Sequence, residues 1–212
     1  MKRALAALSL CLACGILRAN PSPLSPVDVS NDPAWRSLLS QLANSGARAA
    51  PFEERRYFPF RRSPVFLSGE IRLSPGRGLS LDYRSPAPRI VIADSLGLVV
   101  RDPRGAGFTA ASGGRERAAT GLLLNVVRFN VPELQKMFAF SGRFDGEAWA
   151  LSLHSRDPSL SAGLSSISLS GSGASLSRID LIVSDRQHVE ILIGSSPRGV
   201  HFSENELARY FR

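Results

Sequence analysis

Strict alternation of apolar and polar side chains from Val65 to Arg84 constrains this 212-residue chain more than any other feature. One parity is apolar and the other polar: Val65, Leu67, Ile71, Leu73, Leu79, Leu81 and Tyr83 against Ser68, Glu70, Arg72, Ser80, Asp82 and Arg84. Such alternation gives each strand one apolar face and one solvent-exposed face. The segment between the two halves contains Pro75-Gly76, which suits a hairpin turn. The stretch therefore predicts an antiparallel β-hairpin with one apolar side.

Similar segments follow one another along the rest of the chain, about ten strands in all. Helical spacing interrupts them at three places: after Asp32-Pro33, between Leu122 and Met137, and from Ser203 to the C-terminus. Successive strands with few helices predict a mainly β protein with some α structure. The expected architecture is one strongly curved antiparallel sheet, or an open barrel, with helices on one side.

The N-terminus is typical of an exported protein. Residues 1–19 combine Lys2 and Arg3 with a short apolar run, as in a secretory signal peptide, and the run is too short for a membrane span. Residues 20–31 are rich in Pro and Ser and predict a linker, which leaves 32–212 as a single domain. An alternative reading is lipid attachment at Cys14, which would make the chain an outer-membrane lipoprotein.

Charge and histidine content exclude several functional classes. The formal net charge is +8, and Lys2, Arg3 and Arg18 lie in the signal segment, so +5 remains from residue 20 onward. The remaining arginines are scattered among the strands rather than clustered, which argues against nucleic-acid binding. His154, His188 and His201 have no metal-ligand spacing, and no catalytic motif is present. We therefore expect no enzyme activity, no cofactor and no metal.

A curved sheet covered by helices can enclose an apolar cavity on its concave side. A protein that transports an acyl chain needs such a cavity, because each CH₂ group left in water costs about 0.8 kcal/mol. This reasoning favours a protein that carries lipid over one that transforms a substrate.

The sequence resembles the periplasmic outer-membrane lipoprotein carriers of the LolA type. The resemblance lies in the order of short motifs across residues 32–202: Phe52-Glu53-Glu54, Ser68-Gly69-Glu70-Ile71, Leu81-Asp82-Tyr83, Ser85-Pro86, Ile90-Val91-Ile92-Ala93-Asp94 and the hairpin that contains Trp149. It implies an incomplete antiparallel β-barrel whose concave side is covered by short helices that act as a lid. It also implies a monomeric carrier that takes lipoprotein acyl chains, or a related lipid, from an inner-membrane transporter to an outer-membrane receptor.

Candidate site residues follow from the alternation, the helical stripes and this resemblance. The lipid-binding candidates are Leu67, Ile71, Leu73, Leu79, Leu81, Tyr83, Trp149, Leu151 and Leu153. The lid candidates are Trp35, Leu38, Leu39, Leu42, Leu122, Leu123 and Val126. The family often carries an arginine-proline pair that serves lid closure, and Arg77 is its approximate counterpart here.

Two alternatives to a free periplasmic carrier stay open. The first is an acceptor of the same shape, anchored in the outer membrane by a lipid on Cys14. The second is an envelope interaction module that carries nothing, which predicts a filled core without a cavity.

Overall fold

A computed structural model describes residues 23–102, 104, 107–109, 114–158, 163–197 and 199–212. The predicted signal peptide and Cys14 lie outside the described residues. The strands are β1 (Ser25–Pro26), β2 (Arg48–Tyr57), β3 (Val65–Ser74), β4 (Gly78–Ser85), β5 (Arg89–Asp94), β6 (Gly97–Arg101), β7 (Gly107–Thr109), β8 (Phe138–Asp145), β9 (Ala148–Ser155), β10 (Ser166–Ser172), β11 (Ser175–Ser184) and β12 (Gln187–Ile193). The helices are α1 (Pro33–Ala43), α2 (Gly114–Val127), α3 (Val131–Met137) and α4 (Glu204–Tyr210).

All twelve strands form one antiparallel sheet in the order β1-β8-β9-β10-β11-β12-β2-β3-β4-β5-β6-β7. Two meanders, β2 to β7 and β8 to β12, are joined where β12 pairs with β2. The two edge strands, β1 and β7, do not pair with each other among the described residues, so the sheet is open. The predicted fold class, an incomplete antiparallel β-barrel covered by short helices on the concave side, is confirmed.

Local sequence explains where the first and last helices begin. The Asp32 side chain accepts hydrogen bonds from the backbone N–H groups of Ala34 and Trp35, and Pro33 occupies the first helical position of α1. Ser203 and Glu206 form the predicted capping box at the start of α4.

The helices divide between the two faces of the sheet. Side chains of α1, α2 and α3 join one core with the inward-facing residues of the strands. Helix α4 lies on the opposite face, where Tyr210 and Phe211 pack on Ile90 and Ile92 of β5. The Arg101 guanidinium donates hydrogen bonds to the last carbonyl groups of α4, which fixes the helix on the outside of the barrel.

The described part of the predicted linker contributes to the fold. Ser25 and Pro26 pair with Gly142 and Ser141 of β8, and Val29 is buried in the main core. This short segment therefore extends the sheet beyond β8 before the chain enters α1.

Candidate lipid-binding cavity

The inner face of β8, β9 and β10 is densely packed. Seven of its inward-facing apolar side chains are buried: Phe138, Phe140, Trp149, Leu151, Leu153, Ile167 and Leu169. Phe144, at the end of β8, packs on Trp35 but remains 42% exposed. Helix α1 covers them with Trp35, Leu38, Leu39 and Leu42, which are also buried. We call this part of the molecule the packed region.

The inner face of β3, β4, β11 and β12 differs, because many of its apolar side chains keep part of their surface exposed. These partly exposed residues are Ile71, Leu73, Leu81, Leu181, Val189, Ile191 and Ile193. Residues of one parity that are apolar but incompletely covered indicate space above the sheet.

A cavity of about 610 Å³ lies over this second part of the inner face. Its apolar wall is formed by Ala50, Ile71, Leu73, Leu79, Val127, Leu176, Ile179 and Ile193. Three segments at one end of the sheet contribute residues to its rim: Ser45, Ala47 and Arg48 before and at the start of β2, the β10–β11 turn, and Gly194, Ser196, Pro197 and Gly199 after β12. The strands that line it, with Val127, are called the cavity region. Its volume lies in the range of about 300–1,000 Å³ that is usual for small-molecule sites.

The positions of the helices explain why the space stays open. Helix α1 lies against β8, where the Trp35 ring packs so closely on Gly142 that a Cβ atom there would be 2.4 Å from Cζ2. Helix α2 lies instead over β4, β5 and β6. The cavity lies over the middle strands of the sheet, and the small side chain of Ala50 in β2 leaves additional room.

Large side chains close the cavity at its inner end. Along β2 the inward positions change from Arg48 at the rim to Ala50 in the wall and then to Phe52, which is buried. Phe52 packs edge-to-face on Tyr83 with ring centroids 5.3 Å apart, and Leu67 completes this cluster. The cavity is therefore open at the end where β2 begins and closed by aromatic packing further along the strand.

A buried carboxylate lies just beyond this aromatic floor. Glu54 is 4% exposed, and it accepts a hydrogen bond of 2.6 Å from the Tyr83 hydroxyl and another from Arg56 Nε. Arg89 lies over the Tyr83 ring, with 4.5 Å from its guanidinium carbon to the ring centroid. Burial, followed by the nearby Glu54 carboxylate, raises the pKa of Tyr83 well above its usual value. The phenol therefore stays protonated and able to donate at neutral pH.

Arg48 occupies the rim, and its side chain points into the barrel. Its Nη2 atom donates a 2.7 Å hydrogen bond to the carbonyl oxygen of Leu42, near the end of α1. Partial burial lowers the pKa of Arg48, although an arginine remains charged at neutral pH. Among the described residues that line the cavity, Arg48 alone carries a charge.

The sequence-derived lipid-binding candidates fall into three places. Ile71, Leu73 and Leu79 line the cavity. Leu67, Leu81 and Tyr83 belong to the cluster at its floor. Trp149, Leu151 and Leu153 lie in the packed region, where α1 covers them. Their role in lipid binding stays a prediction.

The lid candidates lie on two helices of the inner face. Those on α1 pack in the core, and so does Val126 of α2, whereas Leu122 and Leu123 are partly exposed. Arg77 lies in the β3–β4 turn, where its Nη1 atom is 3.5 Å from the carbonyl oxygen of Arg212. A movement of these helices, and a part for Arg77 in it, stay predictions.

Sequence reasoning missed several residues of the cavity. Arg48 and Ala50 share the parity of Phe52, so the alternation of β2 could have placed them on the inner face. Ile179 and Ile193 likewise follow the inward parity of β11 and β12. Val127 could not be found in this way, because the contribution of the last turn of α2 depends on the tertiary position of that helix.

The histidines do not converge on the cavity. His188 stacks on Tyr57 and lies 3.8 Å from Glu190, which also pairs with Arg55 and Arg178. The described residues contain no group of three or more His, Cys, Asp or Glu side chains placed to hold a metal ion. Within the same part of the chain, the helices are all too short or too polar to cross a membrane.

No protein-family model matches the chain, and no curated protein is similar to it at a significant level. Solved structures are similar to it in fold. An uncharacterised conserved protein from Thermus thermophilus has 11% identity and a TM-score of 0.48, over 84% of this chain and 94% of the other. A LolA superfamily protein from Nitrosomonas europaea has 8% identity and a TM-score of 0.42, over 81% and 96%. A putative outer-membrane lipoprotein-sorting protein domain from Vibrio parahaemolyticus has 8% identity and a TM-score of 0.43, over 80% and 92%.

Proposed function

We propose that this protein is a non-enzymatic periplasmic carrier that binds the acyl chains of lipoproteins, or of a related lipid, in the cavity and shuttles them toward the outer membrane. An inner-membrane transporter would supply the cargo and an outer-membrane receptor would accept it. The observation that carries the proposal is the cavity of about 610 Å³ between the helices and the curved sheet.

The chemistry of the cavity wall supports an acyl ligand. The wall consists of aliphatic side chains from five strands and one helix, so it offers a chain contact without directional bonds. Each CH₂ group transferred from water into such a wall contributes about 0.8 kcal/mol. The same cavity counts against an interaction module with a filled core.

Native mass spectrometry tests the proposal most directly. Protein purified from the periplasm under non-denaturing conditions should carry copurified lipid, and the delipidated protein should take up a fluorescent fatty acid. A lipid-free mass together with no uptake would overturn the proposal.

A cavity-filling variant assigns the binding to this site. Ala50→Phe places a large ring in the wall, so we expect loss of fatty-acid uptake while the circular dichroism spectrum is retained. Ala148→Phe adds the same ring at an exposed, outward-facing position of β9 and should bind like the unaltered protein. Unchanged uptake by Ala50→Phe would place the ligand elsewhere.

A further inference from the structure

The rim of the cavity carries a positive charge, whereas its wall is apolar. Arg48 is the one charged residue among the described residues that line the cavity, and no carboxylate lines it. Arg48 also takes part in none of the ion pairs found among the described residues, although the chain has many arginine-carboxylate pairs elsewhere.

The guanidinium group is held in place but retains donor capacity. An arginine has five N–H donors in a planar fork. The contact of Arg48 with the Leu42 carbonyl uses one Nη atom and fixes the side chain against the end of α1. A partly buried cation with further N–H donors favours an anion, because charge-assisted hydrogen bonds are shorter and stronger than neutral ones.

The surrounding rim suits a small polar group. Ser45, Ser172, Ser175 and Ser196 line the same end of the cavity. The hydroxyl groups of Ser45 and Ser196 donate to the carbonyl oxygens of Leu42 and Pro197. Ser172 and Ser175 are therefore the serines that can complete the coordination of an anion. The aliphatic wall starts directly behind Arg48, with Ala50 two residues further along the same strand. The site therefore combines an apolar chain-binding part with one cationic end.

We propose that the cavity selects amphiphiles with an anionic head group, of carboxylate or phosphate type, and that Arg48 at the rim binds this head group. This inference rests on the proposed function, since it specifies the ligand class of the same cavity. It makes Arg48 a specificity-determining residue: the aliphatic wall supplies affinity for the chain, and Arg48 discriminates between head groups.

Four ligands with the same 16-carbon chain length test the inference by displacement of a fluorescent fatty acid: palmitate, hexadecyl phosphate, palmitamide and hexadecyltrimethylammonium. We expect one or both anions to bind at least about tenfold more tightly than palmitamide, and the cation to bind most weakly. Comparison of palmitate with hexadecyl phosphate identifies which head group is preferred.

Substitution of Arg48 separates the head-group interaction from the cavity itself. Arg48→Gln should lose the preference for anions and keep its affinity for palmitamide, which also shows that the cavity remains folded. Arg48→Lys should restore part of the preference, since it keeps the charge without the planar fork. Equal binding of anionic and neutral ligands by the unaltered protein, or an undiminished preference in Arg48→Gln, would overturn the inference. Failure of all four ligands to bind would instead overturn the proposed function.

Discussion

The packed region and the cavity region are built from similar strands, but they differ in how completely their inward-facing side chains are covered. In the packed region the inward apolar residues of β8 to β10 are buried, apart from Phe144 at the end of β8, because α1 packs on them. In the cavity region residues such as Leu73 and Ile193 have the same chemistry and the same parity but remain partly exposed, because the cavity separates them from the helices. The difference teaches that the position of the helices, and not the composition of the strands, separates the packed core from the cavity.

The same substitution in the two regions should give the largest contrast. Leu153 is completely buried, so Leu153→Ala should lower the free energy of unfolding by about 3–5 kcal/mol. Leu73 already borders empty space, so Leu73→Ala should cost about 1 kcal/mol. Urea denaturation of both variants measures the difference. Equal costs would show that the cavity region is as tightly packed as its neighbour.

The aromatic floor of the cavity depends on a polar contact. Tyr83→Phe removes the hydrogen bond to the buried Glu54, which should lower stability by about 1.5–3 kcal/mol. The raised pKa of Tyr83 means that the folded state holds the phenol proton more tightly than the unfolded state. This contribution is therefore complete below the ordinary tyrosine pKa of about 10 and decreases as the pH rises above it.

Urea unfolding of both proteins at about pH 8 and pH 11 checks this sign. The stability difference between the unaltered protein and Tyr83→Phe should be smaller at the higher pH. A difference that grows with pH would contradict the contact between Tyr83 and Glu54.

Two glycine substitutions distinguish a closely packed position from an open one. Gly142→Ala forces Trp35 away from β8, because the new Cβ would lie 2.4 Å from its ring, and should cost about 1–3 kcal/mol. Gly121→Ala in α2 meets no atom within 4 Å and should stabilise the protein by about 0.5–1 kcal/mol through helix propensity. Thermal unfolding monitored by circular dichroism distinguishes the opposite signs. A stabilising effect of Gly142→Ala would contradict the close packing of α1 against β8.

The sequence was sufficient to predict the fold class and to predict which side chains of each strand face inward. Alternation alone assigns Leu67, Ile71 and Leu73 to one face. It could not separate Leu151 from Leu73, because both are inward-facing leucines and only the placement of α1 distinguishes them. The same parity argument could have placed Arg48 on the inner face, but a charged side chain is usually assigned to the solvent-exposed face. Its place at the rim depends on where the strand meets the end of α1.

The aromatic floor of the cavity has a consequence for the direction of transport in the proposed carrier. Phe52 and Tyr83 close the barrel beyond Ala50, so an acyl chain would enter from the end where β2 begins, with its methyl terminus first. Its polar end would then remain at the rim beside Arg48 and would be the first part of the cargo to meet a recipient. Transfer would therefore begin at the head group, and the hydrocarbon chain would leave the cavity last.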